Sequence, residues 1–150
     1  MAADHHGVLI RAVAPDEVRP LRLRVLRPNQ TWAETVYPGD DLPETVHLAA
    51  FDGDRLVGIG SLYREDRDGG PDGGWRLRGM ATEPDVRGGG FGAAVLAACV
   101  DHAGTAGGVE VWCNAREAAI GFYRRAGFVV VSEPFDVPGI GSHVVMARPV

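Results

Sequence analysis

Four of the five residues in Gly88-Gly89-Gly90-Phe91-Gly92 are glycine, and the run lies between a strand-like stretch ending at Thr82 and a helix-patterned stretch beginning at Gly90. Glycine lets the backbone approach a ligand closely and take φ values that side chains disfavour. The first N–H groups of the following helix have no intrahelical acceptor and carry the positive end of the helix dipole. Such a loop holds phosphate on backbone amides, without a lysine. The P-loop pattern is absent, because no Gly-Lys-Ser/Thr follows. Gly88-x-Gly90-x-x-Ala93 formally matches a dinucleotide fingerprint, which would imply an NAD-dependent oxidoreductase. That fold places its glycine loop after the first strand and an acid at the end of the next one. Here four strand candidates precede the loop, and Glu110 stands at the start of its strand. A purely structural glycine turn is the remaining reading of the run.

Other reactive residue types give weaker patterns. Cys99 and Cys113, the only cysteines, each fall inside an apolar run, as buried free thiols do, with a disulfide as the alternative. Asp40, Asp41, His47 and His143 could be drawn together as metal ligands, but their spacing fits no ligand pattern, and no metal is expected. His5 and His6 adjoin a flexible start, residues 1–7, and look incidental.

These groups must be positioned by elements that the hydrophobic pattern makes legible. Val8 to Val13 alternates as a strand; Pro15-Asp16-Glu17 opens a helix whose apolar side is Leu21, Leu23, Val25 and Leu26 and which Pro28 stops. Residues 29–45 form a polar connection longer than ordinary loops, either a binding loop or a short second helix with two turns. Val46 to Phe51 and Arg55 to Tyr63 flank Asp52-Gly53-Asp54 as a hairpin, and the charged, glycine-rich 64–74 is an exposed loop. Trp75 to Thr82 is the next strand; Gly90 to Ala103 is a helix closed by Gly104 and Gly107-Gly108; Val109 to Cys113 is a further strand. Ala115 to Ala126 is a helix ended by Gly127, and Phe128 to Val131 and His143 to Ala147 are strands separated by a 134–141 loop. The order is that of a mixed α/β sheet with helices on its faces.

Composition narrows the function classes. The 150 residues suit one domain, 1–150, and 45% hydrophobic content supports an ordinary core. Gly 21 and Pro 10 together stay below the share typical of disordered chains. The net charge of −5 and the lack of a basic block argue against a nucleic-acid surface. No apolar window is long enough for a membrane span, and the N-terminus has no signal-peptide pattern, so a cytoplasmic protein is expected.

Arg87-Gly88-Gly89-Gly90-Phe91-Gly92 resembles the Arg/Gln-x-x-Gly-x-Gly/Ala motif of the GNAT N-acetyltransferase superfamily, and Met80-Ala81-Thr82-Glu83-Pro84 resembles the strand ending before it. Asn114 to Phe128 resembles that family's Asn-Ala-x-x-x-Ala-x-x-Phe-Tyr-x-x-x-Gly-Phe segment. Leu21 to Leu26 and Gly139 to Met146 are similar, more loosely, to the small ElaA-like branch. The resemblance covers almost the whole chain and implies a mostly antiparallel central sheet of about seven strands flanked by about four helices. It implies acetyl-CoA as co-substrate, a small-molecule or peptide amine as acceptor, direct transfer without a covalent enzyme intermediate, and a homodimer as one open assembly. A non-catalytic acyl-CoA-binding sensor is the alternative of a different class.

Carried onto this chain, the resemblance gives the pantetheine arm to the backbone of Met80, Ala81 and Thr82. The pyrophosphate goes to Arg87 and the N–H groups of Gly88, Gly89, Gly90, Phe91, Gly92 and Ala93, with Asn114 and Tyr123 also on the cofactor. Tyr123 stands at the general-acid position facing the departing sulfur. A tyrosine near 10 against a thiol near 8.5 leaves full proton transfer uphill by about 2 kcal/mol, which favours hydrogen bonding to the thiolate with late transfer. An alkylammonium near 10.4 leaves fewer than about one molecule in a thousand ready to attack at neutral pH, so a base is needed. Glu83 and His143 are the candidates, with His47 behind them. The acceptor side should come from the first helix, residues 29–45 and the last hairpin, with Arg24, Trp32 and His47 as contacts. Glu34, Asp40, Asp41 and Glu44 would favour a cationic acceptor there, while Arg22, Arg24 and Arg27 would favour one bearing a carboxylate.

Overall fold

The Asp52-Gly53-Asp54 signal forms the expected hairpin: β3 (Val46–Asp52) and β4 (Arg55–Arg64) pair antiparallel, with Asp52 opposite Arg55 and a bulge between Ala50 and Phe51. In the computed structural model, which describes residues 2–5, 7–26 and 29–150, nine strands and three α-helices are formed among the described residues. Two compact units divide the chain, Met1–Tyr63 with Leu77–Cys99, and Arg64–Arg76 with Val100–Val150.

In the first unit, β1 (Ala2–His5), β2 (Val8–Val13), β3 and β4 follow one another in the sheet, and β5 (Gly74–Thr82), whose second half belongs to this unit, follows β4. The start of the chain, expected as a flexible lead, thus pairs with β2. Helix α1 (Pro15–Leu21) is shorter than its apolar pattern suggests, because Pro20 lies inside it and a wide π turn, Arg22–Leu26, takes over. Arg27 and Pro28, the expected stop, lie outside the described residues, as does His6. Val18 and Leu21 bury against Ala49, Phe51, Ile59 and Ala81. The long connection resolves into a 3₁₀ turn, Trp32–Thr35, with turns after it, which is the short-helix alternative in its tightest form.

Helix α2 (Phe91–Thr105) contributes residues to both units. Its buried residues Ala94, Val95 and Cys99 are small enough for close approach to the sheet, and β4 answers with Gly58 and Gly60. A Cβ at Gly60 would lie 2.7 Å from Met80 Sδ and 2.9 Å from Val95 Cγ1. Gly60→Val is therefore expected to destabilise the fold by about 1–3 kcal/mol through overpacking. A urea midpoint equal to that of the parent protein would refute this account of the helix–sheet contact.

The second unit is ordered β5, β6 (Glu110–Arg116), β9 (Gly141–Pro149) and β7 (Val129–Val130), with β8 (Phe135–Val137) also on β9. The β5–β6 pair, over Gly74–Arg76, is parallel, and β9 is antiparallel to β6, β7 and β8. Three sequence expectations change here. Residues 115 and 116 extend the strand, because Ala115 is buried opposite Val144 and Arg116 pairs with His143, so the helix expected from Ala115 starts later. A 3₁₀ turn, Glu117–Ala119, precedes α3 (Ile120–Arg125). The 134–141 segment supplies β8, so the sheet exceeds about seven strands while the α-helices fall short of about four. No helix among the described residues is long and apolar enough to cross a membrane.

Candidate active site

The glycine run opens α2 directly after β5 and a 3₁₀ turn, Pro84–Val86. Gly88 and Gly90 have φ of +86° and +85°, which L side chains rarely adopt, and a Cβ built on either meets nothing within 4 Å. Backbone sign, not crowding, requires glycine at both positions. The first helical bond runs from Ala94 N–H to the Gly90 carbonyl at 3.0 Å. The N–H groups of Phe91, Gly92 and Ala93 therefore precede the first intrahelical bond of a helix of 15 residues, an arrangement chemically able to hold an anion. Gly89 N–H already donates to the Val86 carbonyl at 3.2 Å, so it is the amide of the run with a prior partner. Arg87 is exposed beside the loop.

Met80, Ala81 and Thr82 end β5, and Gly79 just before them has φ +67°, a kink inside the strand. Glu83 then turns the chain inward: its N–H donates to the Val57 carbonyl at 2.8 Å and its side chain is mostly buried. The carboxylate receives a hydrogen bond from Arg24 and lies 3.8 Å from Arg55, which also holds Asp85 through two bonds of 2.7 and 2.9 Å. Glu83, expected as a base, and Arg24, expected on the acceptor, are thus engaged with each other. Nothing in their sequence positions indicated the pairing.

His47 differs more sharply from expectation. It is buried, and both ring nitrogens are occupied: Nδ1 with Ser61 Oγ at 2.6 Å and Nε2 with the Asp40 carbonyl at 3.0 Å. A carbonyl only accepts, so Nε2 carries the proton and Nδ1 accepts from the serine. Burial lowers its pKa, against the opposing pull of Asp40, so the ring stays neutral and has no free nitrogen for a substrate. Register explains the placement, since His47 and Ser61 face each other across β3 and β4.

Asp40 sits in the same cluster. Arg22 reaches its two oxygens at 2.8 and 3.2 Å, and Tyr63 donates to it at 2.5 Å. Burial raises the Asp40 pKa, but the hydrogen bonds from Arg22, Tyr63 and the Tyr37 backbone outweigh it and hold the value at about 2. In Arg22, burial works against the charge, yet the Asp40 contact leaves its pKa raised. A carboxyl held below its ordinary 3.8 stabilises the fold above that pH and loses the contribution as pH falls toward 2, a difference of about 2 kcal/mol. The thermal midpoint should therefore drop more steeply between pH 4 and pH 2 in the parent protein than in Asp40→Asn. Parallel pH profiles would contradict the assignment.

Trp32 is exposed on its 3₁₀ turn. Arg19 is held by Asp16 and, at 3.5 Å, Asp40. The metal set does not assemble: Asp40 is committed to Arg22, Asp41 is exposed, and no group of three such ligands occurs among the described residues.

In the second unit, Tyr123 lies on α3, buried edge-on against Phe122 and Phe128 at ring separations of 5.1 and 5.5 Å. Its hydroxyl is hydrogen-bonded to the Cys113 thiol, whose pKa burial pushes up to about 12 despite that bond. Cys99 and Cys113 are both buried and free, as their apolar settings suggested. Asn114 is exposed on β6. His143 is buried on β9, its ring stacked on Phe135 at 5.8 Å and its Nδ1 2.8 Å from the Gly141 carbonyl. In the neutral ring, that acceptor selects the tautomer with the proton on Nδ1 and the lone pair on Nε2. Glu110 bonds Arg67 at 2.7 Å, so the acid at the start of β6 is a structural partner.

The chain matches the Acetyltransferase (GNAT) domain family over residues 14–148. It is similar to the uncharacterized N-acetyltransferase YitI of Bacillus subtilis (strain 168), with 32% identity over 140 residues that cover 93% of this chain and 94% of that protein. Among solved structures, Escherichia coli ElaA aligns with a TM-score of 0.76 at 18% identity, over 94% of this chain and 99% of the other. An aminoglycoside 6'-N-acetyltransferase complexed with coenzyme A aligns with a TM-score of 0.70 at 18% identity, over 93% and 96%. These structural likenesses speak for a shared fold.

Proposed function

Because the chain belongs to the GNAT acetyltransferase family, we propose that it moves an acetyl group from acetyl-CoA directly to a primary amine of a small molecule or peptide. The observation that carries this is the pair of left-handed glycines, Gly88 and Gly90, opening α2 straight after β5. The amides of Phe91, Gly92 and Ala93, with Gly88 and Gly90, hold the pyrophosphate, and Arg87 adds a screened charge. The backbone of Met80 to Thr82 binds the pantetheine arm, and Asn114 contacts the cofactor.

The amine nitrogen attacks the thioester carbonyl, the C–N bond forms, the C–S bond breaks, and CoA leaves as thiolate or thiol. His143 takes the amine proton on Nε2, a role favoured by the Nδ1 partner that fixes its tautomer. Glu83 is the weaker base, since Arg24 already occupies it. Tyr123 donates to the departing sulfur, for which its hydroxyl proton must turn from the Cys113 thiol.

The acceptor is a cationic amine. Of Arg22, Arg24 and Arg27, which in sequence suggested a carboxylate-bearing acceptor, Arg22 and Arg24 are neutralised by Asp40 and Glu83 and Arg27 lies outside the described residues, while Asp41 and Glu44 remain exposed in the 29–45 segment. Trp32 offers it an exposed aromatic surface. Calorimetry with acetyl-CoA, CoA and NAD, followed by a screen of diamines, aminoglycosides and lysine peptides for CoA release, tests the proposal. NAD binding tighter than acetyl-CoA would sink it. Acetyl-CoA binding with no release across the panel would favour an acyl-CoA sensor.

A further inference from the structure

Arg22 is fully buried, and its guanidinium serves two parts of the first unit at once. Toward the 30–45 segment, Nη1 donates to the Thr35 carbonyl at 2.7 Å and to Asp40 at 2.8 Å, and the group lies 3.8 Å from the centre of the Tyr37 ring. Asp40 in turn accepts from Tyr37 N–H at 2.9 Å. Toward the sheet, Nη2 donates to Ser61 at 2.9 Å and Tyr63 at 3.1 Å, both on β4. Nε, buried without a hydrogen-bond partner, faces β5 where the strand kinks: a Cβ on Gly79 would lie 3.2 Å from it.

A buried ion pair returns little net stability over well-fitted apolar side chains, because desolvation offsets the attraction. What it does supply is geometry, and only the planar fork of arginine reaches this many acceptors from one position. The absent side chain at Gly79 lets the strand approach the guanidinium edge.

We propose that Arg22 is a positioning residue for the acetyl transfer: it locks the 30–45 segment to β4 and to the kink at Gly79, so that the acceptor wall is held in register with the cofactor-binding backbone of Met80 to Thr82. The inference rests on the reading that residues 29–45 face the acceptor. Arg22 contacts neither substrate; it acts through the two segments it joins. Loosening the clamp should misalign amine and thioester while leaving the glycine loop intact.

Replacing Arg22 with alanine would leave Asp40 buried without its cation and risks unfolding, so Asp40→Asn and Ser61→Ala carry the test in the full chain. Hydrogen exchange is expected to show amide protection falling together in residues 35–45 and 78–82, in segments more than 30 residues apart in the chain. The kcat/KM for the amine should fall by about 10- to 100-fold in Asp40→Asn, as misplacement near 1 Å produces, and less in Ser61→Ala. The acetyl-CoA Kd should stay within about threefold, since the pyrophosphate amides are untouched. Folded variants with parental kcat/KM, or loss of protection in 35–45 alone, would overturn the clamp. If the parent protein neither binds acetyl-CoA nor transfers acetyl groups, the proposed function fails, and the exchange data still decide whether Arg22 couples the two segments.

Discussion

Gly90→Val is expected to weaken acetyl-CoA binding by about 100-fold, which corresponds to losing roughly 3 kcal/mol of charge-assisted hydrogen bonds from backbone amides to phosphate. The argument has two parts. At φ +85° a β-branched residue is strained, so the loop shifts toward negative φ and turns its N–H groups away from a common focus. A valine that did keep the native backbone would project into the open space beside the loop, where the pyrophosphate is proposed to lie. Because a Cβ there meets no protein atom within 4 Å, the substitution causes no internal clash, and the variant should keep its secondary structure. Isothermal calorimetry with acetyl-CoA, alongside circular dichroism, makes the comparison. An unchanged Kd in a folded variant would reject the phosphate-loop assignment. Arg87→Ala should cost less than about tenfold and the loss should shrink with added salt, as expected for an exposed charge. A larger loss than for Gly90→Val would reverse the ranking.

Tyr123→Phe should lower kcat and kcat/KM together by about 100-fold, the lower end for a general acid–base group, with acetyl-CoA affinity nearly unchanged. Phenylalanine retains the ring contacts with Phe122 and Phe128, so the variant isolates the hydroxyl. It also removes the hydrogen bond to Cys113, but that thiol remains protonated well past neutral pH, and a neutral bond to sulfur should cost no more than about 1 kcal/mol of stability. A change confined to stability, with turnover within about threefold, would make Tyr123 a packing residue. Lost acetyl-CoA affinity with parental kcat would mean that the hydroxyl binds the ground state and not the leaving group. Single-turnover measurements are needed, because slow product release could hide a slower chemical step.

The sequence by itself determined those features of this protein whose cause is local. Gly88 and Gly90 are recognisable because a left-handed backbone is a property of one residue, and the amides that open α2 follow from the helix that begins beside them. The β3–β4 hairpin was legible for the same reason, as Asp52-Gly53-Asp54 joins two alternating runs. The limits of α3 were not, because the competition between strand and helix at Ala115 and Arg116 is decided by β9, which offers Val144 and His143 as partners.

Tertiary structure decided the role of the charged and titratable groups. Arg24 meets Glu83 across 59 positions, Arg22 meets Asp40 across 18 and Tyr63 across 41, and Arg67 meets Glu110 across 43. In the sequence, the arginines of the first helix and the acids of the 29–45 segment are opposing hints about the acceptor; in the folded first unit, several of them cancel. His47 reads as a substrate contact until β3 pairs with β4 and puts Ser61 opposite it. Coulomb energy and hydrogen bonding depend on separation and dielectric, and neither is a function of distance along the chain.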